Sequence, residues 1–253
     1  MDETMSAVAK RRGFLAALAD APHQKPALAD TCDVARSTVD RAIRELELAG
    51  LVERGNDGYE LTVVGELAYS QFKTYEQAME AICETADVLG LLPQSDLVDP
   101  AMLIGANVTR ADMHAPDRPL QEIVDLVSDA VQVRGASPAA HGAYVEAFDE
   151  RIHQANMAVE LVFTPDVFTE LATTYAEYME KSTPEWVTFY EIPSLPPHGV
   201  MVVEHADGTL EASFSIYTDN GIQAVVRNTR EEAVAWAMNR FEQFRDQSTE
   251  FQL

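Results

Sequence analysis

The 253-residue chain reads as an α+β protein. It is expected to hold an N-terminal helical unit closed by a β-hairpin, one long helix, and a C-terminal α/β unit over a mixed sheet. Three helix-length apolar patterns precede residue 50 and are followed by two short strand-like runs around a glycine-rich turn. Between Leu61 and Leu89 apolar residues recur at steps of four and three. Beyond residue 100, short apolar runs alternate with helical ones. Such alternation predicts helices packed on a sheet. The expected boundaries are 1–62, a helix at 63–90, a linker at 91–100 and a final unit at 101–253.

Val8, Leu15 and Leu18 mark a first helix that ends near Asp20-Ala21-Pro22. Pro26 opens a second over Ala27–Cys32, at a first-turn position where proline costs little. Asp33-Val34-Ala35 is a turn. The third helix runs from Arg36 to Ala49 and is stopped by Gly50. Val39, Ile43 and Leu46 face inward; Arg36, Ser37, Asp40, Arg41 and Arg44 face outward. Leu51–Arg54 and Tyr59–Thr62 are strands around Gly55-Asn56-Asp57-Gly58, a sequence suited to a tight turn. Three helices and a hairpin make a winged helix-turn-helix.

The run LADTCDVARSTVDRAIRELELAGLVERGNDGYELTVVGELA resembles winged-helix regulators of archaea and bacteria. Val34, Thr38-Val39, Leu46, Gly50-Leu51-Val52, Tyr59-Glu60-Leu61-Thr62 and Gly65 carry the resemblance. Ala35 departs from it, standing where a serine often caps the third helix; Ser37 or Asp33 is the expected substitute. The resemblance implies that the third helix enters the major groove of double-stranded DNA. Arg36, Ser37, Thr38, Asp40, Arg41 and Arg44 are then the reading side chains, because arginine addresses guanine or phosphate and hydroxyls serve either. Arg54 and Asn56 on the wing reach backbone or minor groove. Lys10, Arg11 and Arg12 point to phosphate or solvent. Asp40 is either an acceptor for cytosine or, the favoured reading, a partner for Arg44 one turn on. A helix-turn-helix used only for protein contact is the alternative.

The long helix carries Ala68, Phe72, Tyr75, Met79, Ile82, Ala86 and Leu89 on one seam. Its regularity suggests a partner helix and hence a homodimer that presents two reading helices. The alternative is packing on the chain's own C-terminal unit. Cys83 adjoins the seam, as a thiol switch or as an ordinary small apolar residue.

In the C-terminal unit, strands are expected at Met102–Thr109, Ala130–Arg134, Ala158–Phe163, Val187–Ile192, Gly199–Glu204, Thr209–Tyr217 and Ile222–Arg227. Helices are expected at Pro119–Ser128, His141–Gln154, Pro165–Lys181 and Thr229–Asp246. This order resembles the effector domain of TrmB-type archaeal regulators, whose fold is similar to half of a phospholipase D enzyme. That enzyme family needs a His-x-Lys and a later Asn. Here His198-Gly199-Val200 lacks the lysine, although Asn220 sits at a suitable later position. The resemblance therefore implies a non-catalytic domain that senses a small molecule or partner. Pockets in open α/β sheets lie beyond strand C-termini. The candidate ligand residues are His141, Tyr144, Phe163, His198, Tyr217 and Arg227. No metal and no cofactor is expected, because the six histidines are scattered and no phosphate-binding glycine motif occurs. The competing functions are a phospholipase D-like phosphodiesterase fused to a binding module, and an adaptor without DNA affinity.

Forty-two acids against eighteen bases give a net charge of -24, and only four of the bases are lysines. That balance suits a protein from a salt-in halophile, where molar salt screens self-repulsion; a merely acidic mesophilic protein is the alternative. Residues 1–60 hold eight bases and eleven acids, whereas the remainder holds ten and thirty-one. A first unit spared the acidic coat fits a nucleic-acid partner. No run approaches 18 apolar residues and no secretory pattern opens the chain, so a cytoplasmic protein without a membrane partner is expected.

Overall fold

The computed structural model describes residues 3–93, 98–179 and 184–251. It divides into two compact units, Met1–Met79 and Glu80–Leu253. Residues 94–97 of the expected linker and residues 180–181 of the expected Pro165–Lys181 helix lie outside the described residues.

In the first unit, α1 (Glu3–Asp20) buries Val8, Leu15 and Leu18 and leaves helical geometry at Arg11. The next helix, α2 (Lys25–Thr31), carries Pro26 in its first turn. Then α3 (Arg36–Leu48) buries Val39, Ala42, Ile43 and Leu46 against α1 and α2. No side chain caps α3: Ala35 is its extended N-cap residue, and Asp33 sits in the left-handed region at φ 50°. The capping role expected of Ser37 or Asp33 is therefore filled by neither. Strands β1 (Val52–Arg54) and β2 (Tyr59–Leu61) pair antiparallel, with Arg54 opposite Tyr59. Gly55 N–H donates to Gly58 O at 2.8 Å and closes the turn. Gly58 has φ +145°, and a Cβ there would run into the His23 backbone. The close approach lets His23 and Tyr59 exchange backbone hydrogen bonds of 3.0 and 2.8 Å. The hairpin is thus tied to the loop between α1 and α2.

The helix expected from Leu61 to Leu89 is two helices, α4 (Val63–Glu84) and α5 (Ala86–Leu89). Thr85 breaks them at φ -107°, and its buried hydroxyl donates to Ala81 O at 2.6 Å. A hydroxyl bonded back to the preceding turn often bends a helix.

The second unit is an eight-stranded mixed sheet. After α6 (Pro100–Leu103) come β3 (Asn107–Arg110), α7 (Arg118–Val127), β4 (Ala130–Ala136), α8 (Gly142–Ala155) and β5 (Ala158–Phe163). Then follow α9 (Pro165–Thr174), α10 (Ala176–Met179), β6 (Val187–Glu191), β7 (His198–His205), β8 (Leu210–Thr218), β9 (Gly221–Asn228), α11 (Glu231–Asp246) and β10 (Thr249–Phe251). The strand order is β10-β6-β5-β4-β7-β8-β9-β3. The β4–β5 and β5–β6 pairs are parallel; every other pair is antiparallel. Two expectations change here. Met102–Thr109 is not one strand, because Asp99 caps a helical turn at Pro100–Leu103 by accepting from Ala101 N–H at 2.8 Å. The helix from Pro165 stops at Thr174, and α10 starts afresh after Tyr175.

Alternation along the strands sets two cores. Val200, Val202, Phe214, Ile216, Ala224 and Val226 pack with Phe241 and Phe244 of α11 on one face. On the other face Val133, Val159 and Val203 pack with Leu126 and Val127 of α7 and Ile152 of α8. The buried Asn228 side chain donates to Met102 O at 3.1 Å and Ile104 O at 3.0 Å, which holds α6 on the sheet. No described helix is long and apolar enough to cross a membrane.

Candidate nucleic-acid interface and ligand pocket

The inward residues of α3 are fully buried, so its opposite face must be solvent-facing. Arg36, Ser37, Asp40, Arg41 and Arg44 are exposed there; Thr38 is half-buried. Arg54 ends β1 and Asn56 lies in the turn beyond it, both exposed.

Ion pairing separates these bases from their neighbours. Lys10 and Arg11 both reach Glu45, at 3.2 and 2.7 Å, and Arg12 reaches Glu76 at 3.1 Å. Lys10 and Arg12 stay solvent-exposed beside their acids, as expected, whereas Arg11 fastens α1 to α3 instead of pointing to phosphate or solvent. Arg11 is only 8% exposed, and its hydrogen bond holds the Glu45 carboxyl below the ordinary range. Asp40 pairs with Lys25 at 2.7 Å, not with Arg44. The ammonium of Lys25 also lies 5.5 Å from the Tyr59 ring, and the Asp40 hydrogen bond raises its pKa. Among the described residues, Arg36, Arg41, Arg44 and Arg54 form no ion pair. Four unspent guanidinium groups therefore stand on α3 and the hairpin.

The expected seam is divided. Phe72 packs into the first unit's core, and Ile82 and Leu89 pack into the second unit's. Ala68 packs into the first unit's core as well, so the chain's own cores take four of the seven seam residues. Tyr75, Met79 and Ala86 stay exposed. Val63, Val64 and Leu67 are exposed too, at 72%, 58% and 63%, so the free apolar face of α4 starts earlier than the sequence pattern suggests.

In the second unit a pocket of about 160 Å³ lies between α8 and the sheet face opposite α11. Phe148 and Ile152 of α8 form one wall; Leu161, Phe163, Phe189 and Met201 of the strands form the other. Its hydroxyl-bearing lining includes Tyr144, Ser137, Ser215, Tyr217 and Tyr178, and Asp149 and His153 of α8 line it too. Ser137 Oγ donates to Ala139 O at 2.8 Å and lies 3.5 Å from the Tyr217 hydroxyl. The Tyr144 hydroxyl is shielded from solvent and interacts with the Tyr217 hydroxyl, but makes no hydrogen bond of full geometry among the described residues. Burial raises the pKa of both tyrosines, so both stay protonated.

Tyr144, Phe163 and Tyr217 thus meet at this pocket; His141, His198 and Arg227 do not line it. His141 is exposed at the N-cap of α8, its ring edge-on to Tyr144 at 5.8 Å. His198 faces the α11 side, with its ring 4.9 Å from Phe214 and 6.5 Å from Phe244. Arg227 is held by Glu211 at 2.8 Å and Glu122 at 3.0 Å, and Glu211 also meets His205 at 3.2 Å. Asn220 lies in the exposed turn between β8 and β9. The sequence reading missed Gly135, Gly199, Ser137, Phe148 and Met201. Gly135 and Gly199 lie on adjacent strands, and a strand glycine often marks a close approach of backbone or ligand. That signal was present. Among the described residues no group of three or more His, Cys, Asp or Glu is placed to hold a metal ion.

The family model described as "Methanogenesis regulatory protein FilR1, middle domain" matches residues 116–247. A second, "HVO_A0261 N-terminal domain", matches residues 2–84. No curated protein matches the chain. TrmBL2, titled an archaeal chromatin protein with a novel mode of DNA binding, shares 12% identity at TM-score 0.41, over 98% of this chain and 94% of its own. The phospholipase D family member Nuc from Salmonella typhimurium shares 12% at TM-score 0.43, over 58% and 99%. NucT from Helicobacter pylori shares 12% at TM-score 0.42, over 58% and 98%.

Proposed function

Since the chain belongs to the family of the methanogenesis regulatory protein FilR1 middle domain, we propose that it is a DNA-binding transcriptional regulator and not an enzyme. The N-terminal unit acts as a winged helix-turn-helix: α3 enters the major groove and the hairpin from Arg54 to Tyr59 is the wing. One observation carries this reading. Arg36, Arg41, Arg44 and Arg54 are exposed and unpaired, while Lys10, Arg11, Arg12 and Lys25 of the same unit are each neutralised by an acid. In a chain with 42 acids, four exposed arginines without an acid partner among the described residues leave their donors open to an anionic partner. Arginine forks suit guanine edges and phosphate alike.

Two chains pair through the exposed face of α4 and so offer two reading helices to a two-fold site. The pocket under α8 takes a small effector whose binding shifts the DNA-competent population. The protein works in the cytoplasm, with the DNA it reads. Halophilic origin accounts for the charge balance.

A mobility-shift titration over a graded series of potassium chloride concentrations tests the central claim. Wild type should shift duplex DNA, and Arg41→Ala combined with Arg44→Ala should lose the shift while keeping the fold. A wild-type chain that shifts no duplex at any salt overturns the reading.

A further inference from the structure

The pocket under α8 has a chemistry that narrows its occupant, and the inference rests on the reading that the second unit senses a small molecule. We propose that it binds a neutral, one-ring-sized molecule with an apolar body and a single hydrogen-bonding oxygen, a phenol being the simplest case.

Size comes first. The pocket measures about 160 Å³, close to the roughly 150 Å³ of an engineered apolar cavity that takes up benzene in another protein. Its body is bounded by Phe148, Phe163, Phe189, Leu161 and Met201, which suits a flat or branched hydrocarbon surface. Charge comes second. The only acid and histidine among the described lining residues, Asp149 and His153, lie 3.2 Å apart as a pair. No arginine or lysine lines the pocket among those residues, so a carboxylate or phosphate would be buried without a counter-charge. A sugar fits no better, because most of its hydroxyls would lose water and gain no partner. Polarity comes third. Ser137 and Tyr217 already face each other at 3.5 Å, whereas the shielded Tyr144 hydroxyl has only a loose interaction with Tyr217 and no hydrogen bond of full geometry among the described residues. One shielded hydroxyl without a well-formed bond calls for one oxygen on the ligand.

Calorimetric titration of the full chain with p-cresol, toluene, benzoate and glucose tests the assignment. p-Cresol should bind about 3- to 10-fold more tightly than toluene, with benzoate and glucose giving no saturable heat. Tyr144→Phe should erase that advantage and leave toluene unchanged. Val145→Phe, which fills the pocket from α8, should abolish both, with circular dichroism showing that the variant folds. No binding of p-cresol to the folded wild type, tighter binding of benzoate or glucose, or an unchanged p-cresol affinity in Tyr144→Phe each overturns the proposal. The same ligands are added to a DNA mobility shift. If p-cresol binds and DNA affinity does not move, the sensing role fails while the ligand class stands. If benzoate or glucose alone moves DNA affinity, the class fails while the sensing role stands.

Discussion

Arg11 and Arg41 are the same side chain in opposite circumstances. Arg11 is buried beside Glu45, with Nε and Nη2 donating to one carboxylate oxygen at 2.9 and 2.7 Å. Arg41 is exposed and forms no ion pair among the described residues. The first is a strut and the second is available to a ligand, and their substitutions should separate accordingly. Arg41→Ala or Arg44→Ala should weaken DNA binding by about 1–3 kcal/mol each with little change in melting temperature. Glu45→Gln should do the reverse: it leaves DNA contacts alone and costs about 1–3 kcal/mol of stability, because the buried Arg11 loses its charged acceptor. Its pH dependence follows from the depressed Glu45 pKa. The folded state binds its proton less readily than the unfolded chain does, so stability rises with pH across that interval. The contribution is complete above the ordinary value of 4.5 and disappears as pH falls through the lower folded value. Parallel denaturant melts should therefore show wild type and Glu45→Gln converging in acid and diverging toward neutrality. A constant gap at every pH contradicts the assignment.

At the level of elements, the sequence was most readable where local chemistry decides. The apolar spacing of α3, its stop at Gly50 and the Gly-Asn-Asp-Gly turn are local signals, and each element lies where they place it. Short apolar runs were less readable. Met102 and Leu103 pack equally well from a strand or from a turn of helix, and only the Asp99 cap decides between them. The pocket shows a second limit. Strand parity is legible, since Gly199 and Met201 must share one face and His198 and Val200 the other. Which face carries α8 and which carries α11 depends on chain crossover, so His198 was assigned to a pocket that it turns away from. The seam failed in part for the same reason: heptad spacing says that a helix is apolar on one side without saying what covers it. Val63, Leu67, Tyr75 and Met79 lie on one i, i+4 ladder of α4 and are all exposed. With a second copy as occupant, Leu67→Glu plus Tyr75→Glu should convert a dimer to a monomer in light scattering and leave the helical content unchanged. A wild type that scatters as a monomer in molar salt would refute the pairing.

The whole molecule is governed by its net charge of -24. Like charges at this density oppose compaction until salt screens them, and the Debye length falls from ~10 Å at 0.1 M to ~3 Å at 1 M. The melting temperature should therefore climb with potassium chloride over this range, most steeply at low ionic strength where the Debye length changes most. DNA binding faces the opposite pressure. Two subunits each placing four arginines on phosphate would neutralise about eight phosphates, for which counterion release gives a slope of ~-7 in log affinity per log salt. Such a slope would abolish binding at the salt concentrations that stabilise the fold. Acids on the same elements offer the way out: Glu47, Glu53 and Asp57 are exposed on α3 and the hairpin. Cations held between these carboxylates and the DNA phosphates would be taken up on binding and would offset those released. Affinity should then vary weakly with salt. Substituting Glu47 and Glu53 by Gln should steepen the slope toward the counterion-release value while raising affinity at low salt. Affinity measurements over a tenfold span of potassium chloride check both statements, and a wild-type slope near ~-7 would show that cation uptake plays no part.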